Sequence, residues 1–201
     1  MSSQFDIEHK KLFETKYVTG RTFKLVKINS NSEEDAEFVI ALRNRKLNNY
    51  LRTISISLNE QMNYFKNYQL EYDGGEQIYY KIFDISKNSF NGIVRFTELN
   101  KVDKFCYESM VVKEDISPVV PTDVVLSIYK IGFERLNKQI CGPFPVSKKN
   151  IRVLEWHKKL GMTEIINEDI EYFYLEISSK NYFNNVQKYN KLGLGLVSYE
   201  N

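Results

Sequence analysis

Asn150-Ile-Arg-Val-Leu-Glu-Trp-His157-Lys-Lys-Leu-Gly161-Met162 is the stretch on which the reading of this chain turns. It has the pattern of a short amphipathic helix, opened by a capping asparagine, closed by a glycine and followed by a strand. Asn150 and His157 are seven residues apart, about two helical turns, so they share a face with Val153 and Leu154 between them. An amide and a titratable imidazole then stand roughly 10 Å apart along one wall of a cleft. A long thin cofactor that needs one hydrogen bond mid-chain and one proton at its reactive end fits such a wall.

Composition narrows what surrounds this helix. The chain has 201 residues, enough for one domain with a sizeable core, and 42% of them are hydrophobic, which marks a globular protein. The net charge is +2 with acidic and basic residues interleaved, which gives no support to a nucleic-acid binder. No run approaches the ~18 apolar residues of a membrane helix, and Met1 to Lys10 has no apolar signal-peptide core. Cys106 and Cys141 sit in no ligand-spaced cluster, so free thiols and a cytoplasmic location are expected. His9 and His157 are the only histidines, which excludes a histidine-rich metal site, and no metal is expected.

Outward from the motif helix, hydrophobic periodicity and turn residues lay out the remaining elements. Thr22 to Ile28 alternates as a first strand. Ser32-Glu-Glu-Asp35 is a capping box opening a helix through Leu42, and Ser57 with Glu60 opens a second through Leu70. Asp73-Gly-Gly75 is a turn. Gln77 to Phe83, Gly92 to Leu99 and Phe105 to Val112 read as strands. Pro121 to Leu136 is a helix with proline in its first turn. Gln139 to Cys141 begins a short strand that Gly142-Pro143 ends. Thr163 to Ile166 and Ile170 to Ile177 form a closing hairpin, and Lys180 to Leu192 is a polar terminal helix or tail. The expected core runs from Thr22 to Ile177, with an extension over 1–21 and a tail over 178–201.

Asparagine, an apolar residue three later, a histidine or aromatic at plus seven, basic residues and glycine at plus eleven resemble the last motif of the GNAT acyltransferases. His157 stands where most members carry tyrosine. The element order resembles the same family over about Thr22 to Ile177. The resemblance implies an α/β fold, a mixed sheet flanked by helices and splayed open between its fourth and fifth strands. It implies acyl-CoA as co-substrate, its pantetheine arm lying in the splay.

Transfer from a thioester to an amine needs a neutral amine, a polarised carbonyl and a protonated leaving thiolate. By the resemblance, the arm pairs with the main chain of Met110, Val111 and Val112, with Phe144 and Val146 on the opposite lip and Asn150 bonded to an amide. His157 donates the proton to sulfur. The pyrophosphate falls at Ile116 to Asp123, where Ser117, Val119, Val120 and Thr122 offer N–H groups and Ser117 and Thr122 add hydroxyls. This segment departs from the family's glycine-rich loop: it has no glycine, and Pro118 and Pro121 each lack a donor. Arg152, with Lys148 and Lys149, is placed to meet the 3′-phosphate. Asn150 also reads as a plain helix cap, and the three basic residues as a solvated face.

Glu108 is the candidate general base, with Glu98, Tyr107 and Ser109 as alternatives. Strand parity puts Glu108, Met110 and Val112 on one face and Tyr107, Ser109 and Val111 on the other. Arg43, Asn48, Tyr50 and Arg52 build the acceptor side. Leu42-Arg43-Asn44, the Asn-Tyr-Leu stretch after it and Ser57-Leu-Asn-Glu60-Gln61 resemble the GNAT subgroup that acylates nucleotide-linked amino sugars. That likeness implies a deoxyamino-sugar acceptor, often dTDP-linked, in surface polysaccharide synthesis, with acetyl or 3-hydroxybutanoyl as the acyl group. A homodimer is compatible with the sequence. Acylation of a protein N-terminal amine, and a non-catalytic GNAT-fold binding protein, stay open as other readings.

Overall fold

Side-chain oxygens of Ser32, Ser57, Asn150 and Ser178 hold the first free N–H groups of four of the described helices. In the computed structural model, which describes residues 4–45, 57–162 and 164–200, Ser57 accepts from Glu60 N–H and Glu60 returns the bond. Ser32 caps its helix the same way, but Asp35 turns its carboxylate to Asn29 N–H and Lys81 rather than back to Ser32. Asn150 caps the motif helix through Val153 N–H. The order is α1 (Gln4–Glu14), β1 (Tyr17–Thr19), β2 (Phe23–Lys27), α2 (Glu33–Arg43), α3 (Leu58–Asp73), β3 (Ile78–Asp84), β4 (Ser89–Thr97), β5 (Lys104–Val112), α4 (Val119–Tyr129), β6 (Ile140–Ser147), α5 (Ile151–Lys159), β7 (Glu164–Glu168), β8 (Tyr172–Ser178), α6 (Ser179–Asn190) and β9 (Ser198–Glu200).

The strands form one mixed sheet in the order β7-β8-β6-β5-β4-β3-β2-β1-β9. All neighbours are antiparallel except β5 and β6, which run parallel. α1, β1 and β9 add to the expected layout: the residues on either side of the sequence-predicted core lengthen the sheet and cover it. One face carries the larger core, where Phe96, Phe105 and Tyr107 pack beneath Val120, Val124 and Ile128 of α4. The other carries Ile93 and Val111 beneath Val39 and Leu42 of α2 and Phe65 and Tyr68 of α3.

Three details correct the sequence reading. α4 loses its α-helical repeat at Tyr129 and finishes as a π-helical turn, Lys130–Arg135. The strand expected to stop at Gly142-Pro143 runs on through both to Ser147, because β8 supplies it with a partner from Leu175 to Tyr172. Asp123, whose charge in the first turns of α4 would suit a helix start, is instead fully buried and ties α4 to Thr22 and Gly195, accepting from Thr22 N–H and hydroxyl and from Gly195 N–H. Among the described residues no helix is long and apolar enough to cross a membrane.

Candidate active site

The site begins where β5 and β6 part. They pair only at Lys104–Ile140 and Phe105–Cys141, and beyond Phe105 no strand takes the β6-facing edge of β5 among the described residues. Sequence explains part of this. Lys148 N–H reaches Glu171 on the β8 side, so strand alternation turns the N–H position of residue 145 toward β5. Residue 145 is proline, and the edge that would have to pair with β5 lacks that donor.

β5 is irregular at the same level. Opposite Ile93 and Arg95 its register slips by one residue, and Ser109 adopts φ 50°. This bulge inserts an extra residue and reverses the parity beyond it. Tyr107 therefore shares the α4 face with Met110 and Val112, while Val111 faces α2 and α3. Glu108 is on the α3 side too, since Arg95 links it to Tyr64 of α3. The expected grouping of Glu108 with Met110 and Val112 is thus corrected: period-2 counting fails across a bulge.

Glu108 is 38% exposed, and its Oε2 lies 2.5 Å from Arg95 Nη2. The same guanidinium donates to Tyr64 at 2.8 Å and to the Ser109 hydroxyl at 3.2 Å. Arg43 is half-buried nearby and meets the Tyr79 hydroxyl. Asn48, Tyr50 and Arg52 lie outside the described residues. Glu98 is set apart: it follows β4 at the closed end of the splay and pairs with Lys104 at 3.1 Å.

On the other wall α5 carries Asn150 and His157. Asn150 Oδ1 accepts from Val153 N–H at 3.3 Å, so its capping role is realised and its Nδ2 is left for a ligand. The helix stops at a glycine with φ 96°, where Gly161 N–H meets the Lys158 carbonyl and Met162 N–H meets that of His157. This pair of bonds is a Schellman stop, and it fixes the backbone of His157 itself. Trp156 donates to the Thr122 hydroxyl at 3.2 Å and clamps α5 to the start of α4.

His157 is only 1% exposed. Its Nδ1 lies 2.9 Å from the Tyr107 hydroxyl, and its ring packs on Phe144 with centroids 4.5 Å apart. Burial pushes its pKa down to about 3, so the imidazole is neutral at physiological pH. Burial also pushes the Tyr107 phenol well above its ordinary value, which removes Tyr107 as a base. Phe144 does not stand on the rim. It turns inward and stacks on Tyr107 at 4.9 Å, filling the deep end of the gap. Val146 is buried in the core, and Met110 and Val112 are half-buried along the open edge. Two cavities lie away from the splay: about 370 Å³ between α1 and β9, and about 200 Å³ beside Lys27 and Tyr72.

The expected phosphate loop is less open than its sequence implies. Ser117 N–H donates to the buried Asp84 carboxylate at 3.0 Å, and Val120 N–H donates to the Ser117 carbonyl. Both amides are spent on the fold, which corrects the expectation that they face a ligand. Burial pushes the Asp84 carboxyl up, but hydrogen bonds from Ser86, Ser117 and Lys87 outweigh it and hold the group below its ordinary value. Val119, 37% exposed, has no partner for its N–H outside α4 among the described residues. Thr122 carries the Trp156 bond. Arg152 and Lys149 are exposed, whereas Lys148 pairs with Glu168 at 2.8 Å. Nothing in the α5 motif signals the Tyr107–His157 contact, because those residues are 50 positions apart.

No family model matches the sequence, and no curated protein matches it. Solved structures do. Apo FdhC, a nucleotide-linked sugar GNAT, superposes with a TM-score of 0.72 at 29% identity, covering 89% of this chain and 97% of its own. The N-acetyltransferase PseH of Campylobacter jejuni with acetyl coenzyme A gives 0.57 at 17% identity, covering 78% and 98%. Spermidine N-acetyltransferase from Vibrio cholerae with CoA and spermine gives 0.60 at 14%, covering 81% and 99%. The last two share the fold. The likeness to FdhC, itself a GNAT, goes further and supports an acyl-CoA-dependent N-acyltransferase. Within that class, its likeness to FdhC runs over nearly the whole chain.

Proposed function

We propose that this enzyme moves an acyl group, acetyl or 3-hydroxybutanoyl, from acyl-CoA to the amine of a nucleotide-linked amino-dideoxy sugar of the dTDP type. It would serve surface polysaccharide synthesis in the cytoplasm, as a monomer or homodimer. The observation that carries the reading is the 29% likeness to a nucleotide-linked sugar GNAT across 89% of the chain. The parted strands, the bulge at Ser109 and the α5 wall support it.

The residues present fit an acyl-CoA along the open edge of β5. Met110 to Val112 offer main chain there, Asn150 Nδ2 and Val119 N–H are available donors, and exposed Arg152 suits a phosphate. Glu108, reached from the α3 side, takes a proton from the attacking amine directly or through water. Glu108 passes that proton to solvent and the leaving thiolate takes one up from solvent, so the net balance is amine plus thioester to amide plus thiol. His157, neutral in its buried setting, donates a hydrogen bond from its ring N–H to the sulfur as negative charge develops there. A cysteine acyl-enzyme is disfavoured: burial pushes both the Cys106 and Cys141 thiols upward, away from the reactive thiolate.

A two-stage experiment tests this. Acetyl-CoA should raise the melting temperature, since at a hundredfold excess over its Kd a native-state ligand adds about 2.7 kcal/mol. CoA thiol release should then be followed with dTDP-linked 3- and 4-amino sugars and with N-terminal peptides. Turnover on peptides alone would replace the sugar reading. No shift and no thiol release would leave a binding protein.

A further inference from the structure

Within the core beside the splay, one polar contact is unusual. Tyr107 from β5 and His157 from α5 are both buried, 0% and 1% exposed, and face each other at 2.9 Å amid Phe144, Tyr129 and Met162. Two polar groups in such a setting cost free energy unless each finds a partner. Their pairing leaves one question, which carries the proton. The phenol has a single O–H to give. Its acceptors are the imidazole Nδ1 at 2.9 Å, the Met162 thioether at 4.0 Å and the neighbouring Tyr129 hydroxyl, and the ring nitrogen is the strongest of the three. A nitrogen that accepts carries no proton of its own. The imidazole proton must then sit on Nε2, which makes no hydrogen bond among the described residues.

We infer that Tyr107 is a positioning residue that locks His157 in the Nε2–H tautomer and so aims a neutral N–H donor at the departing sulfur. This rests on the acyl-transfer reading and adds what that reading lacks, a reason for a neutral histidine to point its one donor in a fixed direction. The opposite tautomer would present a lone pair to a developing thiolate and would repel it. Phe144 and Trp156 pack against the ring, at 4.5 and 4.7 Å between centroids, and the Schellman stop holds its backbone. Orientation is thus set by packing, and tautomer by one phenol.

Long-range proton–nitrogen NMR on protein labelled only at histidine tests this directly. Two imidazoles will appear, from His9 and His157, and His157→Gln assigns them. His157 in the wild type should show the Nε2–H pattern; the Nδ1–H pattern overturns the proposal without touching the acyl-transfer reading. Tyr107→Phe keeps the ring and removes the hydroxyl. It should give a mixed tautomer pattern and a kcat lowered about tenfold or more, with KM for acyl-CoA within about twofold. An unchanged pattern with unchanged kcat also overturns it. Full activity in His157→Gln would instead remove histidine from the chemistry, a separate failure the NMR result does not share.

Discussion

Lowering the pH from 7 to 5 should destabilise the native protein through His157. The unfolded imidazole titrates near 6.5, and burial lowers the folded one to about 3. Below pH 6.5 the unfolded chain binds a proton that the native state does not, so stability is full above 6.5 and falls as the pH drops. Each unit is worth roughly 1.4 kcal/mol, so at pH 5 this residue alone removes roughly 2 kcal/mol. The folded value lies well below pH 5, so the native ring stays neutral throughout. Urea unfolding of wild type and His157→Gln at both pH values isolates the effect. Glutamine still offers Tyr107 an acceptor, and its packing penalty does not depend on pH. His9 is common to both proteins and cancels. The stability advantage of wild type over the variant should shrink by roughly 2 kcal/mol between pH 7 and 5. An advantage equal at the two pH values would mean that the native imidazole takes up protons as freely as the unfolded one, and the buried-histidine argument would fail.

Asn150→Ser keeps a capping oxygen and loses the amide nitrogen, so the melting temperature should stay near wild type while CoA affinity drops; Asn150→Ala should lose both, with a capping cost of about 1 kcal/mol. Affinity unchanged in both would leave Asn150 a cap and nothing more. Glu108→Gln retains an oxygen for Arg95, so folding survives, but as a general base its loss should lower kcat by roughly 10²–10⁴ and abolish the acidic limb of the pH–rate profile. A superimposable profile would hand the role to water. Gly132→Ala would place a Cβ 2.2 Å from the Phe105 ring, which is itself packed on Phe96 and Phe133. Overpacking of this kind costs roughly 1–3 kcal/mol, visible as a lower urea midpoint; an unmoved midpoint would show that the ring can yield.

Local signals settled whatever depended on nearby residues. Ser57 with Glu60, and Asn150 with Gly161, bracket helices through bonds spanning five residues or fewer, so the α3 start and the whole of α5 were legible in the chain. Alternation along Tyr79 to Phe83 and turn residues at 73–75 did the same for the sheet, and the resemblance of the α5 motif to the GNAT family implied the fold class. The order of elements then restricted the topology, because crossovers leave few choices.

What remained depended on partners distant in sequence. Whether Ser117 N–H faces a phosphate or the fold was decided by Asp84, 33 residues earlier. The face shown by Glu108 was decided by a bulge that only pairing with β4 reveals. The continuation of β6 past Gly142-Pro143 was decided by β8. The state of His157 was decided by desolvation beneath Phe144 and by a phenol from β5, neither of which leaves a trace in the α5 motif. Periodicity encodes which way a side chain faces within its own element. Burial, proton position and donor availability are properties of the neighbours, and the neighbours exist only once the chain has closed on itself.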